Sequence, residues 1–564
     1  MLDKIHSYFE YTILKATVLS KNREVLFIGT TVADSPKKSR SLAGIAGIVA
    51  IATLISKVFG LVREQAIARA FGVGPVVDAY AYAYIIPGFL LILLGGINGP
   101  FHSALVSVLS KRDQKDAAPL VETVSTIVTI GLFFVAIVLV VFAGVFIDLL
   151  APGLEGEVRN LAILQLQIMA PLAVLAGLIG IGFGTLNASD QYWLPGISPL
   201  FSSLSIVIGV GSLIWLFGAE INAPEYVRLG GIVLAGTTLC GAVLQWLAQL
   251  FAQWKSGLGS LRPRFDLAIP GVKDVLKVMI PATLSSGMLH INVYTDMFFA
   301  SYIEGAAASM RYANFIVLTP LGIISNMILV PLLPVFSRLA APENWDELKQ
   351  RIRQGLLLSA LSMLPLSAIF ISQAKTIIRI VYEYNAFAAD ATLVVAPVLM
   401  AYGLGMFFYL GRDILVRVFY GLGDGVTPSR ISLINIFVNA VLDFFLVNAF
   451  KTPGLVFATI GVNVFSMAIM IVLLSKRLGG LPLGKWGLNL LGLVAASVVA
   501  GGASWGISMG VASLSFGNNL YIQGLELAVA IAVSLSIFFG LAMLLKLPEL
   551  EILKGRVTAK LKRS

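Results

Sequence analysis

Basic side chains of the first long apolar segment are the residues best suited to bind a phosphate group. This segment carries Lys57, Arg63 and Arg69, with Glu64 beside Arg63, and Asp78 opens the next apolar segment. A guanidinium binds phosphate through two parallel hydrogen bonds, and an ammonium binds it as a point charge. Because a helix turns by about 100° per residue, the three basic side chains fan out. The spacing therefore predicts a broad cationic wall suited to an anionic headgroup such as a pyrophosphate.

Charges at membrane depth are functional candidates because each costs several kcal/mol unless it meets water or a partner. The alternative explanation is that Arg63 and Arg69 only extend to the lipid headgroups from a helix end. That alternative applies most strongly to Arg69, which lies near the end of its apolar segment.

A second candidate group lies in the later half of the chain and consists of Asp296, Asn439, Asp443 and Thr459. Asn439 and Asp443 are four residues apart, which places them on one face of a helix. Their oxygen atoms suit a hard monovalent cation such as sodium, and a carboxylate here could instead carry a proton. A packing role, with hydrogen bonds across a helix bundle, explains the same residues.

The composition indicates that these residues belong to a membrane protein. Of 564 residues, 58% are hydrophobic and 12% are charged, with a mean hydropathy of +0.90, whereas soluble domains contain about 25% charged residues. The net charge of +10 resides in loops between apolar runs, where it meets membrane lipids and gives no nucleic-acid surface. A single cysteine, Cys240, and three dispersed histidines argue against a disulfide framework or a histidine metal site.

The sequence predicts an all-α polytopic protein of about fourteen transmembrane helices, since about 20 apolar residues cross a bilayer. The predicted spans cover residues 42–68, 78–108, 120–150, 161–187, 194–218, 229–252, 273–300, 310–336, 354–373, 391–420, 431–449, 454–475, 487–509 and 522–545. The run at 391–420 contains Arg412, Asp413 and Arg417, so the count could differ by one pair of spans.

Loop charges predict the orientation of these spans, because cytoplasmic loops carry an excess of Lys and Arg. Every second loop is rich in basic residues, whereas the loops between them are sparser. The basic loops and the tail contain Lys111, Arg112, Lys115, Lys255, Arg262, Arg264, Arg338, Lys349, Arg351, Arg353, Lys476, Arg477, Lys485 and Lys554. Both termini are therefore expected in the cytoplasm.

A weak internal repeat predicts two six-helix lobes. Residues 69–112 resemble residues 300–338, an offset of about 230 residues; chance similarity between apolar segments is the alternative. The predicted organisation is a polar extension at 1–41, lobes at 42–252 and 253–478, two further helices at 479–547 and a basic tail at 548–564.

Several motifs resemble those of the MurJ (MviN) lipid II flippases, within the multidrug/oligosaccharidyl-lipid/polysaccharide exporter superfamily. They are SKVFGLVRE at 56–64, ARAFG at 68–72, Asp78-Ala79, Pro87, LNA at 186–188, WLP at 193–195, SPL at 198–200, MRYAN at 310–314, RVFYGLGD at 417–424 and Thr427-Pro428. The resemblance extends from about residue 43 to the C-terminal tail. It implies two six-helix lobes around a cationic cavity, with two C-terminal helices lining a groove for a polyprenyl tail.

The resemblance assigns Lys57, Arg63 and Asp78 to the cavity, and it likens Asp296, Asn439, Asp443 and Thr459 to positions that serve sodium in some members. Two positions depart from the family pattern, since Leu91 and Phe315 stand where cavity arginines are often found. Arg311 lies one turn before Phe315 on the same helix face and is expected to substitute. These departures bear on the cargo more than on the fold.

The resulting hypothesis is a bacterial inner-membrane flippase that moves a lipid-linked peptidoglycan precursor, lipid II, to the outer leaflet by alternating access and works as a monomer. The alternatives are a flippase for another polyprenyl-linked saccharide and a cation-coupled multidrug exporter. An enzyme acting on such lipids is disfavoured, because the longest interior loops hold few carboxylates, all among basic residues. No cofactor is expected beyond the coupling cation, and a non-transporting scaffold is hard to reconcile with intramembrane charges.

Overall fold

The computed structural model describes residues 42–96, 99–110, 114–288, 291–513 and 520–550. These residues form twenty α-helices and two short 3-10 helices, with no strand among them. The predicted extension at 1–41 and most of the predicted tail at 548–564 lie outside the described residues. The chain divides into a short unit, Met1–Gly47, and a large unit, Ile48–Ser564, and all of the candidate functional residues belong to the large unit.

The first ten helices build the N-terminal half. They are α1 (Leu42–Phe71), α2 (Pro75–Gly95), α3 (Pro100–Leu109), α4 (Gln114–Val141), α5 (Ala143–Leu150), α6 (Gly156–Met169), α7 (Leu172–Ala188), α8 (Trp193–Ile197), α9 (Pro199–Phe217) and α10 (Pro224–Lys255). Helix α7 lies at the centre of this half and packs against α2, α3, α4 and α10. Four of these helices begin at proline, which lacks the N–H that the first helical turn leaves unbonded.

Small residues allow the close packing of α7. Its sequence from Gly177 contains four glycines in eight residues, and a Cβ atom at Gly180 would overlap the carbonyl oxygen of Leu94 on α2. Because lipid supplies no hydrophobic force between membrane helices, such close backbone contact is a main source of their packing energy. The position of α2, which carries Asp78 and Tyr80, therefore depends on glycine in α7.

The remaining ten helices build the C-terminal half and its extension. They are α11 (Val272–Met288), α12 (Ile291–Ala300), α13 (Ala306–Arg338), α14 (Trp345–Ser372), α15 (Ala374–Tyr382), α16 (Ala389–Gly421), α17 (Val426–Phe450), α18 (Thr452–Arg477), α19 (Leu483–Ser513) and α20 (Leu520–Leu544). Helix α16 is central and packs against α13, α14 and α18, while α17 pairs with α18. Helices α19 and α20 pair with each other and pack against α14.

The described residues contain 11 helices long and apolar enough to cross a membrane, or 12 if α6 and α7, which meet at a 41° bend, form one span. The chain is thus a multi-pass membrane protein. Of the other predicted spans, 42–68 lies within α1 and 273–300 coincides with α11 and α12. The exact count of fourteen and the division into two six-helix lobes stay predictions.

The predicted segment at 273–300 consists of two helices that contact different parts of the protein. Helix α11 packs against α2, α3 and α4 of the N-terminal half. Helix α12 packs against α17 and α18, and also against the short α5. This segment therefore connects the two halves physically as well as along the chain.

Candidate substrate and cation sites

The carboxylate of Glu64 lies between two arginines at the contact of α1 with α13. Arg63 donates to its Oε1 from Nε at 3.1 Å and from Nη2 at 2.7 Å. Arg311 donates from Nη2 to Oε1 at 2.8 Å and from Nε to Oε2 at 3.1 Å. Glu64 is only 1% exposed, so its charge depends on these guanidiniums for compensation. Two positive charges against one negative charge leave this cluster with a net positive charge.

Tyr80 of α2 holds the Arg311 guanidinium from the other side. The guanidinium carbon lies 5.0 Å from the centre of the Tyr80 ring, within the range of a cation–π contact. The Tyr80 hydroxyl hydrogen-bonds the Thr238 hydroxyl of α10 at 2.9 Å, and its ring stacks on Tyr84 at 5.5 Å. The Glu64 cluster, defined as Arg63, Glu64, Arg311 and Tyr80, therefore joins α1, α2 and α13.

Asp78 lies at the same contact but binds backbone. Its carboxylate accepts the N–H of Gly305 at 3.3 Å and of Ala308 at 3.1 Å, and it is 5% exposed. These donors belong to the start of α13, where the first N–H groups of a helix lack intrahelical acceptors. Asp78 therefore anchors the beginning of α13 to the beginning of α2.

The end of α1 makes further contacts with the C-terminal half. The Tyr312 hydroxyl donates to the Gly72 carbonyl at 2.9 Å, and the Gln65 amide donates to the Val381 carbonyl at 3.1 Å. The Arg69 guanidinium lies 4.4 Å from the centre of the Tyr384 ring, although its side chain is exposed. These contacts and Asp78 close one end of the interface between the two halves.

The structure separates the five predicted headgroup-binding residues into groups. Arg63 and Arg311 share Glu64, whereas Lys57 is exposed and lies outside that cluster. Asp78 and Arg69 occupy the closed end described above. The use of these residues in binding a headgroup stays a prediction, and so does the substitution by Arg311.

Apolar side chains at the two departing positions take part in packing. Leu91 is half-buried and packs against the core of the N-terminal half. Phe315 places its ring against Gly60 of α1, where an added Cβ would lie 3.4 Å from the ring. The two halves thus meet through an aromatic contact at Phe315, one helical turn from the Arg311 ion pair.

The four predicted cation ligands are hydrogen-bonded to one another where α12, α17 and α18 meet. The Asn439 amide donates to Asp296 Oδ1 at 2.6 Å and to Asp443 Oδ2 at 2.9 Å. The Thr459 hydroxyl donates to Asp296 Oδ2 at 3.0 Å, and it also contacts the Leu455 carbonyl at 3.2 Å. Asp443 is fully buried, and its Oδ1 has no hydrogen-bond partner in the described part of the chain.

Three further buried polar residues adjoin this site and were not predicted from the sequence. Asn463 donates to the Thr459 carbonyl at 2.7 Å, and its Oδ1 has no hydrogen-bond partner among the residues described. Asn435 and Ser466 bind each other through two hydrogen bonds of 2.7 and 3.0 Å. The sequence signal that could have identified them is a row of polar residues at helical spacing on α17 and α18. No single residue of this row indicates a site by itself.

An apolar groove of about 370 Å³ lies beside the C-terminal helices. Side chains of α14, α16, α18 and α19 line it, among them Leu356, Phe407, Ile471 and Trp486. Arg353 at its edge forms an ion pair with Glu549 at 3.4 Å. The groove has the apolar surface that a polyprenyl chain requires, with a basic side chain at one end.

Comparison with known proteins gives a consistent result along most of the chain. The family model for the lipid II flippase MurJ matches residues 67–523. A probable lipid II flippase MurJ of Synechocystis sp. is 61% identical over 532 residues, which are 94% of this chain and 100% of that protein. The lipid II flippase MurJ of Burkholderia cenocepacia is 28% identical over 461 residues, which are 80% of this chain and 87% of that protein.

Solved structures share the fold. A structure of lipid II flippase MurJ in an inward closed conformation superposes with a TM-score of 0.67 at 24% identity, covering 87% of this chain and 98% of that one. An inward-facing multidrug resistance transporter of the MATE family, in the MOP superfamily, superposes with a TM-score of 0.60 at 17% identity, covering 77% and 98%. Together with the sequence matches, these findings establish that the chain belongs to the MurJ family of lipid II flippases.

Proposed function

We propose that this chain moves lipid II from the cytoplasmic to the outer leaflet of the bacterial inner membrane by alternating access. The observation that carries the proposal is the 61% identity to a probable lipid II flippase along that protein's whole length. Proteins of this family are transporters rather than enzymes. The substrate is accordingly a lipid-linked precursor.

The Glu64 cluster supplies the proposed contact with the pyrophosphate of the substrate. In the closed arrangement, Glu64 occupies the guanidiniums of Arg63 and Arg311. When the two halves separate at this end, the guanidiniums of Arg63 and Arg311 become available to an external anion. A pyrophosphate carries more negative charge than one carboxylate, so it competes with Glu64 for the same donors. Exchange of one anion for the other gives the two conformations different affinities for the substrate, as transport requires.

The apolar groove gives the lipid tail of the substrate a separate place. Moving a polyprenyl chain out of water is favourable by about 0.8 kcal/mol for each CH₂, and this holds in lipid as well as in an apolar groove. It therefore need not cross the polar interior. We propose that the groove at Leu356, Phe407 and Trp486 holds part of this chain while the headgroup moves.

A monovalent cation fits the Asp296 site. Two carboxylates share one amide donor there, and the buried Oδ1 of Asp443 has no partner in the described part of the protein. The carboxylate, amide and hydroxyl oxygens of this site are ligands that suit a hard cation. Sodium bound by Asp296, Asn439, Asp443 and Thr459 would balance one of the two carboxylate charges.

The orientation and the oligomeric state belong to the same proposal. Both termini lie in the cytoplasm, since Lys and Arg are concentrated in every second loop. The closed end at Asp78 and Gly305 then faces the periplasm, because it lies one span away from the N-terminus. The chain works as a monomer, because the cluster, the groove and the cation site each lie within one chain.

A second candidate function is export of another polyprenyl-linked saccharide or of drugs. It is supported by the fold shared with a MATE transporter, at a TM-score of 0.60, and by the apolar side chains at Leu91 and Phe315. Fewer cavity charges suit a less highly charged cargo. The cargo assay below separates the two functions.

Complementation tests the proposed cargo. A bacterial host is depleted of its own lipid II flippase, and this chain is expressed in its place; we expect wall synthesis and growth to return. An Arg63→Ala variant is expected to express equally but to fail, and a Lys451→Ala variant, changed in a loop, serves as the matched control. If growth returns neither with this chain nor with its expression raised about tenfold, the result contradicts lipid II as the cargo. Transport of another undecaprenyl-linked saccharide in vesicles would then support the second candidate.

Thermal unfolding in detergent tests the cation site. A ligand that binds only the folded state stabilises it by RT ln(1 + [L]/Kd). We expect the unfolding midpoint to rise with NaCl when choline chloride keeps the ionic strength constant. The Asp443→Asn variant, which retains the shape of the side chain, should lose this sodium-specific rise. Equal responses to sodium and choline in the unchanged protein would exclude sodium.

A further inference from the structure

A row of polar side chains continues from the cation site along the contact between α17 and α18. On α17, Ser432, Asn435, Asn439 and Asp443 follow one another at spacings of three or four residues. Residues at such spacings share one helix face. At about 1.5 Å of rise per residue, this row extends over about 16 Å, or half of the roughly 30 Å hydrocarbon layer.

Helix α18 presents a matching row to α17. Thr459, Asn463 and Ser466 are likewise three or four residues apart, and α18 packs directly against α17. Asn435 and Ser466 meet across this contact and are 3% and 0% exposed. Their mutual hydrogen bonds lie one helical turn from Asn439 on α17 and from Asn463 on α18.

A small cavity lies on the other side of the Asn435–Ser466 pair. It has a volume of about 150 Å³, and its lining includes Ser432, Asn435 and Ser466 together with Arg412 and Asp413 of α16. The Arg412 and Asp413 side chains form an ion pair at 2.7 Å and are 34% and 41% exposed, so this end of the cavity reaches the surface of the protein. A polar cavity of this size has room for ordered water.

Packing alone does not explain the row. Polar groups that only hold membrane helices together satisfy one another's hydrogen bonds. Two acceptors on this contact, Asp443 Oδ1 and Asn463 Oδ1, are buried in residues 0% and 2% exposed and lack partners among the described residues. Unsatisfied acceptors in a row with a polar cavity at its end are suited to pass a cation between successive oxygen ligands.

We propose that Asn435 and Ser466 form a polar gate through which a cation passes between the Asp296 site and the cavity at Arg412 and Asp413. The proposal rests on the cation site under the proposed function and assigns it an entry route. The cavity adjoins the loop between α16 and α17, so the route opens on the side where that loop lies. With both termini in the cytoplasm, this side is cytoplasmic.

Cysteine accessibility tests the route without any transport measurement. In a Cys240→Ala background, the Ser432→Cys variant is treated with a membrane-impermeant, cationic methanethiosulfonate reagent. We expect labelling in inside-out vesicles and none in right-side-out vesicles. The Ser367→Cys variant is the matched control, since Ser367 is buried on α14 away from the row and should be unlabelled in both. Absence of labelling at Ser432→Cys in inside-out vesicles would overturn the proposal.

Exchange of ²²Na⁺ bound to the purified protein tests the gate. The Asn435→Leu variant keeps the side-chain size but removes the polar groups, and we expect it to slow release by about tenfold or more with a nearly unchanged equilibrium Kd. The Ser466→Ala variant removes the partner of Asn435 and should speed release. The Asp443→Asn variant should lose binding itself, and thermal unfolding identifies any variant that is misfolded.

The outcomes separate the gate from the cation site. Saturable ²²Na⁺ binding with release rates that neither Asn435→Leu nor Ser466→Ala changes would overturn the gate and leave the cation site intact. Absence of saturable binding in the unchanged protein would overturn both, while complementation would still report on the flippase function. Opposite changes in rate for the two variants are the result that a purely structural pair would not give.

Discussion

Glu64 on α1 and Arg311 on α13 are 247 residues apart in the chain, yet their side chains share two hydrogen bonds of 2.8 and 3.1 Å. Arg63 binds the same carboxylate, so one buried acid joins two basic side chains from the two halves. The contact is therefore a link between the halves that can be broken or restored by single changes of charge.

Neutralising Glu64 should weaken this link. The Glu64→Gln variant retains the side-chain shape but leaves two guanidiniums without an anionic partner. Breaking a buried ion pair costs roughly 3–5 kcal/mol, and the 18% and 24% exposure of the two arginines places this site near the lower limit. We expect a lower unfolding midpoint and failed complementation.

A charge swap controls for this result. Combining Glu64→Arg with Arg311→Glu again places one carboxylate among two guanidiniums. The double variant should therefore recover much of the stability that the single changes lose, as a double-mutant cycle would show. A Glu64→Gln variant as stable and active as the unchanged chain would contradict a role for the link.

The carboxylate of Asp78 should contribute as a helix cap. In an Asp78→Ala variant, the N–H groups of Gly305 and Ala308 lose their acceptor, at a typical cost of about 1 kcal/mol. Asp78→Asn keeps one acceptor oxygen and should lose less. Unfolding midpoints of the three proteins in detergent measure the order, and an Asn variant less stable than the Ala variant would be inconsistent with capping.

Gly72 should tolerate no side chain, because it lies against the C-terminal half. Its φ is +55°, and an added Cβ would overlap the carbonyl oxygen of Ala386. Gly218 has a φ of +56° with nothing within 4 Å, so Gly218→Ala bears only the backbone strain of about 1 kcal/mol. We expect Gly72→Ala to lower the unfolding midpoint further and to fail in complementation, whereas Gly218→Ala should complement. Equal effects would show that the Ala386 contact is unimportant.

Asp424 should make stability depend on acid pH. It lies in the loop between α16 and α17, where burial favours a higher pKa, but two hydrogen bonds from Thr427 and the charge of Arg477 outweigh burial and lower the pKa of its carboxyl. A lowered pKa in the folded state gives stability that is present above the unfolded pKa of about 3.9 and is lost as pH falls through the folded value.

The Asp424→Asn variant tests this dependence. The difference in unfolding midpoint between the unchanged protein and this variant should be constant from neutral pH to mildly acid pH and should shrink below about pH 4. The Arg477→Gln change removes one of the partners of Asp424. In that background, the difference in unfolding midpoint caused by Asp424→Asn should be smaller. A difference that grows in acid would contradict this assignment.

The sequence predicted the long helices, because the length of an apolar run determines them. It did not predict where these helices are interrupted. The run at 120–150 forms α4 and α5, and the run at 161–187 forms α6 and α7 with a bend of 41°. Hydropathy is the same on both sides of such a break, so only packing against neighbours shows whether a helix continues. The long run at 391–420, by contrast, lies within the single helix α16, in spite of its charges.

The two candidate sites were predicted to different extents. The spacing of Asn439 and Asp443 placed them on one face, and they share a hydrogen bond of 2.9 Å. The position of Glu64 between Arg63 and Arg311 was missed, because adjacent residues on a helix do not face each other. The long Arg63 side chain overcomes that separation, and the third member comes from a distant helix that spacing along the chain does not reveal. The roles of all these residues stay predictions.

The pair α11 and α12 sets a mechanical condition on any rearrangement. Helix α11 packs against α2, α3 and α4, whereas α12, which carries Asp296, packs mainly against α17 and α18 and also contacts α5. If the halves move apart, this segment is pulled from both ends, and the tension reaches Asp296, the proposed cation ligand. Strain in this segment would then change the affinity for the proposed cation, and cation binding would change the strain. Such reciprocal coupling is what links a driving ion to a conformational change.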